Sequence, residues 1–441
     1  MITPALFLIT ALASAQTVDK GYVVKVDSEA VWLDLTAADG AAAGRAFEIY
    51  VEGEALKHPV TGAVLGRVSK VVAKGSLIDV SDKFSTGRLN APSADVKAGQ
   101  RARLSAAAPT PPKAAPSRPG EPESRSPKTQ GATLDFAVNA MAVGDFDATG
   151  KPQIALASDN VIRLYAYPAA DAKPLAEAVV PGTGLKIVGL DAADFDGDKH
   201  DELFVSVYDD VFKRFETRVM KLESGKWLKV AELPYLTRGY QDAKGARVLA
   251  TQQVLDDAAF PFGAIYPLAY QDGKYSQGRP ALGLKRIDWL YGFTTAQIGA
   301  GEPAALYLTT VHALRVQFGK NWWRTADDDY GQTPIRLRWR EKLLEFNPPM
   351  AVSYGPTGFE GLFVVRNMAA LGGLASPFGL FNHGELVRKR WDGLGLQTEW
   401  KADLSGCAQG LALVETSPGR KEIVVAVRGS AGQSSIWTFD P

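Results

Sequence analysis

Apolar residues in this chain come in short runs broken by polar, glycine- or proline-bearing turns. Between residues 16 and 105 such runs lie at 21–26, 30–35, 44–51, 64–72, 76–80 and 96–104. The first two flank the polar turn Asp27-Ser28-Glu29. Each run is short and rich in β-branched and aromatic residues, the pattern of strands rather than of a 3.6-residue helical stripe. Six short strands at this spacing predict a small barrel, which closes its own edges. From about 131 onward a second pattern takes over. A polar Gly/Pro/Asp turn is followed by a buried run and then by an amphipathic pair. The unit recurs at 140–157, 187–207, 242–268, 298–323, 355–365 and 415–439. A lone hairpin is marginal in water, so these units must pack face to face around an axis.

The two best-conserved units within the chain align without a gap. One reads Asp194-Phe195-Asp196-Gly197-Asp198-Lys199-His200-Asp201-Glu202, then 203–207. The other reads Asp145-Phe146-Asp147-Ala148-Thr149-Gly150-Lys151-Pro152-Gln153, then 154–157. Alternating acidic residues on a tight turn ahead of a buried strand resemble the FG-GAP/VCBS repeat of integrin-like β-propellers. The resemblance implies an all-β fold in which the acidic turn joins two strands of one blade. A four-stranded blade takes about 40–50 residues, so the segment 131–441 has room for six or seven. Six units are visible, and closure by strand exchange between the chain ends is expected.

The resemblance also implies one metal site. Asp194, Asp196 and Asp198 match the first, third and fifth ligand positions, and Glu202 the ninth, where aspartate is usual. Ca²⁺ takes six to eight oxygens at about 2.3–2.6 Å, and carboxylates alternating on a tight loop can converge on it. Lys199 stands where glycine is normal, placing a positive charge and a β-carbon at the bend. The competing reading is a metal-free turn whose carboxylates cap backbone N–H groups. In the other copy Thr149 and Gln153 replace two of the carboxylates, so no tight site is expected there.

The 16–105 domain shares a first hairpin, a Gly-x-x-Phe strand, a Gly-x-Val-Leu-Gly strand and a closing Lys-Ala-Gly-Gln strand with the C-terminal domain of flagellar assembly protein T. That resemblance implies a periplasmic envelope module rather than a flagellar role. Residues 106–130 are rich in Pro, Ala and Ser, with few bulky apolar side chains to offset ordering, and read as an extended linker. Residues 2–12 form an apolar run followed by Ala13-Ser14-Ala15, which predicts a signal peptide spanning 1–15. No later run reaches the ~18 apolar residues of a spanning helix.

Lysine plus arginine balance aspartate plus glutamate at 49 each, so no overall field favours nucleic acid or an anionic membrane. Cys407 is the only cysteine, which excludes an intrachain disulfide and suits a small buried residue. His58, His200, His312 and His383 are scattered, without zinc-ligand spacing. Arg336, Arg338 and Arg340 alternate with Leu337 and Trp339, as on an outer strand with one cationic face. Asp327-Asp328-Asp329 after Trp322-Trp323 reads as a solvated turn. These features predict an exported, non-catalytic binding or scaffold protein of the bacterial cell envelope. Its propeller face would contact a protein or glycan. The alternative is a polysaccharide hydrolase or lyase with its site in the propeller funnel.

Overall fold

The structure is a computed structural model. It describes residues 18–441 except 28–29, 43, 58–63, 82, 90–94, 105–121, 243–244, 258–259, 285–286, 300–301, 326–329, 331, 370–380 and 430. The expected cleavage after Ala15, most of the linker, His58 and the Asp327–Asp329 run lie outside the described residues. The chain divides into two compact units on either side of the Ser117–Arg118 boundary. Both are all-β, and no helix among the described residues is long and apolar enough to cross a membrane.

The first unit is the expected closed barrel of six strands, but two of its strands differ from the sequence reading. The runs at 64–72 and 76–80 are one continuous strand, Val64–Val80, not two. A β-carbon on Gly75 would lie 2.1 Å from the Arg88 carbonyl oxygen and 2.5 Å from the Phe47 ring. Gly75 is therefore a site of close backbone approach inside a strand, not a turn residue. The long strand pairs with Ala46–Lys57 on one side and with Ser85–Leu89 on the other. Ser85–Leu89 is the strand that the apolar pattern missed, because Ser-Thr-Gly-Arg-Leu has no hydrophobic run. Phe47, Ile49, Leu33, Leu77, Leu89 and Leu104 fill the interior.

The second unit is a six-bladed propeller, which settles the choice between six and seven. Blade 1 is Ala140–Gly144, Gln153–Ser158, Val161–Ala166 and Ala176–Val179. Blade 2 is Leu185–Ala193, Glu202–Asp209, Arg214–Glu223 and Lys226–Leu233. Blades 3 and 4 are four-stranded meanders beginning at Leu236–Gln241 and Phe293–Ala296. Blades 5 and 6 begin at Ala351–Gly355 and Cys407–Ser417. Separate apolar clusters cement neighbours: blade 1 to 2, 4 to 5, 5 to 6, and 6 back to 1. Cys407 is buried with a free thiol, which burial pushes above its ordinary pKa.

The ring closes as expected, by strand exchange. Blade 6 supplies only three strands from the C-terminal end, and Thr129–Gln130 completes it beside Ser434–Phe439. Glu123–Ser124 adds a short parallel strand to the outer edge of blade 5. Residues 122–130, assigned by composition to the linker, are thus part of the propeller. Their side chains are mostly exposed, so composition shows polarity, whereas the pairing runs through the main chain.

A two-stranded hairpin, Arg336–Trp339 and Lys342–Glu345, is inserted between blades 4 and 5. Trp339 packs on Tyr208 and Phe215 of blade 2, with ring centroids 6.3 and 5.2 Å away. Tyr208 and Phe215 flank the 210–213 turn, so the hairpin lies at the end of blade 2 opposite the acidic turn. The expected three-arginine face is not a free cationic stripe. The strand ends at Trp339, and Arg340 turns out of it with φ +50° to pair with Asp256. Arg336 is nearly buried beside Glu345.

Candidate metal centre

The acidic turn joins the first two strands of blade 2, where the repeat places it. Asp194 holds the backbone with both of its oxygens, and Asp196 and Asp198 with one each. Asp194 accepts from the amides of Gly197 at 2.7 Å and Lys199 at 3.0 Å. Asp196 accepts from the amide of Asp198 at 3.2 Å, and Asp198 from that of His200 at 2.9 Å. These are the capping bonds of the metal-free reading. The bend takes Gly197 to φ +80° and Lys199 to φ +73°, a left-handed conformation that strains a residue with a β-carbon.

The carboxylates also converge. Asp194, Asp196, Asp198 and Glu202 each offer an oxygen within 4.8 Å of the others. Among the described residues this is the one group of three or more acidic, histidine or cysteine ligands brought together. Glu202 is fully buried; its Oε2 accepts from the Phe195 amide at 2.9 Å, and its Oε1 has no hydrogen-bond partner. Burial pushes its carboxyl up to about 7, opposed by the Phe195 bond and reinforced by the charge of Asp196. An all-carboxylate set with an unsatisfied buried oxygen fits a hard cation in donor type.

The sequence reading missed one participant. The Lys221 ammonium, from the third strand of the blade, reaches into the group. It lies 2.6 Å from Asp196 and 3.7 Å from Glu202, and also bonds Asp198. Burial works against its charge, but the bonds to Asp196 and Asp198 outweigh this and hold its pKa above the ordinary value. Asp198 is correspondingly lowered, chiefly by Lys221. The signal was in the register: with Leu203 opposite Met220, the next pair is Glu202 and Lys221.

The first copy is closed differently. Asp145 holds the amides of Thr149 and Gly150, and Asp147 takes the Thr149 hydroxyl at 2.7 Å. Gln153 accepts from the Phe146 amide and donates to Asp147 at 2.8 Å. An amide, which both accepts and donates, completes the turn without a cation. The two turns also touch: the Asp145 amide donates to Asp201 at 2.7 Å. Gly144 leaves the room for this, since a β-carbon there would lie 2.6 Å from that carboxylate.

The sequence comparisons agree with this geometry. An FG-GAP-like repeat model matches residues 145–205, which span both acidic turns. No curated protein matches the chain. Among solved structures, Sqt1 of Saccharomyces cerevisiae shares 10% identity at a TM-score of 0.35, covering 73% of this chain and 100% of its own. BBS1N in complex with ARL6DN shares 10% identity at a TM-score of 0.33, covering 95% of this chain and 97% of its own. Scores this low bear on neither fold nor function; the fold rests on the strands and their pairing. The chain carries an FG-GAP-like repeat, set in the first two blades of a six-bladed propeller.

Proposed function

We propose that this is an exported, non-catalytic binding or scaffold protein of the bacterial cell envelope. Its propeller engages a protein or glycan through the end that carries the inserted hairpin. One observation carries the reading. That end exposes large apolar side chains beside a groove whose carboxylates are already ion-paired. Phe212 is 72% exposed and lines a groove of about 470 Å³ with Phe215, Trp339 and Arg340. The loop that supplies Asp256 to the groove also exposes Leu255 and Phe260, the latter 76%. Exposed aromatics beside paired charges suit an interface.

The carboxylates of the groove are Glu216, Glu232 and Asp256. Glu216 pairs with Arg214 at 3.1 Å and Arg218 at 2.9 Å, Glu232 with Lys229 at 2.7 Å, and Asp256 with Arg340. Lys229 holds Glu232 below the usual carboxylate range. A glycoside hydrolase needs a carboxyl that keeps its proton as general acid, and Lys229 works against this at Glu232. The groove therefore favours binding over acid–base chemistry. In the acidic turn, Ca²⁺ is the ion that the donor set suits, acting to fix the loop.

The double variant F212S/F260S of the full chain tests the reading. Both rings are exposed, so the unfolding midpoint should not change. Capture of envelope proteins or glycans by the wild type should fall at least about tenfold in the variant, as for loss of central aromatic anchors. Undiminished capture by a folded variant would refute this face as the binding surface.

A further inference from the structure

We infer that Lys221 is the resident counter-ion of the acidic turn and a direct competitor of any divalent cation for it. Three observations converge. First, the ammonium sits where a cation would sit, bonding Asp196 and Asp198 and lying 3.7 Å from Glu202. Second, Glu202 Oε1 is buried in the group without a hydrogen-bond partner, so it is an acceptor aimed at a positive charge. Third, the two copies within this chain differ as a unit. In blade 2 the carboxylate Glu202 stands opposite the cation Lys221, one position beyond the Leu203–Met220 pair. In blade 1 the equivalent residues are the amide Gln153 and, opposite it, Ala166. Where the turn closes with a neutral amide, the facing strand carries a methyl group. Where it closes with a carboxylate, the facing strand carries an ammonium.

The same oxygens cannot serve both cations. A divalent ion bound by Asp196, Asp198 and Glu202 would lie within a few ångströms of the ammonium, and two positive charges at that separation repel strongly away from bulk water. Lys221 must swing out before such an ion enters, and the cost of breaking its bonds is subtracted from the ion's affinity. Lys221 thus sets the selectivity of the turn: it keeps the loop closed without metal and admits a divalent ion only against its own ion pairs. This rests on the reading of the turn as a cation site.

The test is Ca²⁺ binding to the full chain by titration calorimetry, with thermal unfolding in chelator and in millimolar Ca²⁺. Wild type, K221M, K221Q and K221M/D196N are compared. Methionine keeps most of the stem packing and removes the charge; K221Q serves if K221M folds poorly. The single variants should lose stability in chelator, recover it in Ca²⁺, and bind Ca²⁺ at least about tenfold more tightly than wild type. K221M/D196N should show neither recovery nor tight binding. Equal affinity in wild type and K221M would overturn the competition while leaving a metal site in place. Absence of Ca²⁺ binding in every variant would overturn both the competition and the cation-site reading.

Discussion

Glu422 offers a direct test of how the ring is held shut. Its side chain is about nine-tenths buried and joins three parts of the propeller. The Tyr167 hydroxyl of blade 1 donates to it at 2.6 Å, and Lys128, just ahead of the closing strand, pairs with it. Glu422 itself belongs to blade 6, on Arg420–Arg428. The substitution Glu422→Gln keeps the shape and removes the charge. Hydrogen bonds to a charged group contribute about 1.5–3 kcal/mol each. Lys128 is partly exposed and keeps Asp440 at 3.3 Å, so its share must be discounted for solvent. The net expected loss is about 2 kcal/mol at neutral pH, or about 4 °C in the unfolding midpoint of a domain this large. The pH dependence follows from the same contacts. Burial pushes Glu422 up, but Lys128 and Tyr167 outweigh it and leave the folded pKa below the ordinary 4.5. The stabilisation is therefore complete above the unfolded value and is lost as pH falls through the folded one. Wild type and variant should differ at neutral pH and converge in acid below 4.5. Thermal unfolding followed by circular dichroism across that range measures this. No difference at neutral pH, or one that persists unchanged in acid, would refute the assignment of Glu422 as the closing contact.

Two further outcomes separate the units. Gly75→Ala should destabilise the barrel by about 3 kcal/mol, because the new β-carbon meets the Arg88 carbonyl and cannot be relieved by a side-chain movement. The propeller transition should stay in place, and an unshifted barrel midpoint would contradict the close approach. Trypsin should cut the native chain after Lys113 in the Pro-rich segment, but spare Arg125, stacked 4.8 Å over Trp400, and Lys128, whose amide bonds Thr438. Early cleavage after Arg125 or Lys128 in native protein would argue against 122–130 as part of the propeller.

Local spacing carried much of this protein into view. The acidic turn is legible because its carboxylates lie within nine consecutive residues, so convergence follows from one tight bend. The blades are legible because turn and buried strand recur, and a ring is the arrangement that buries every such face. The barrel is legible from its apolar runs, except where a strand buries few large side chains, as at Ser85–Leu89, or needs glycine for close approach, as at Gly75. What tertiary structure decided was pairing between distant or polar segments. Residues 122–130 are hydrophilic and join blades 5 and 6 through main-chain bonds, which side-chain composition does not encode. The hairpin at 336–345 reads as an outer strand because its amphipathic alternation is the same, and only its packing on Tyr208 and Phe215 separates it from a blade. Lys221 is an ordinary strand lysine in sequence. It becomes the counter-ion of the acidic turn only when the hairpin register sets it opposite Glu202, because electrostatic pairing depends on distance in space rather than along the chain.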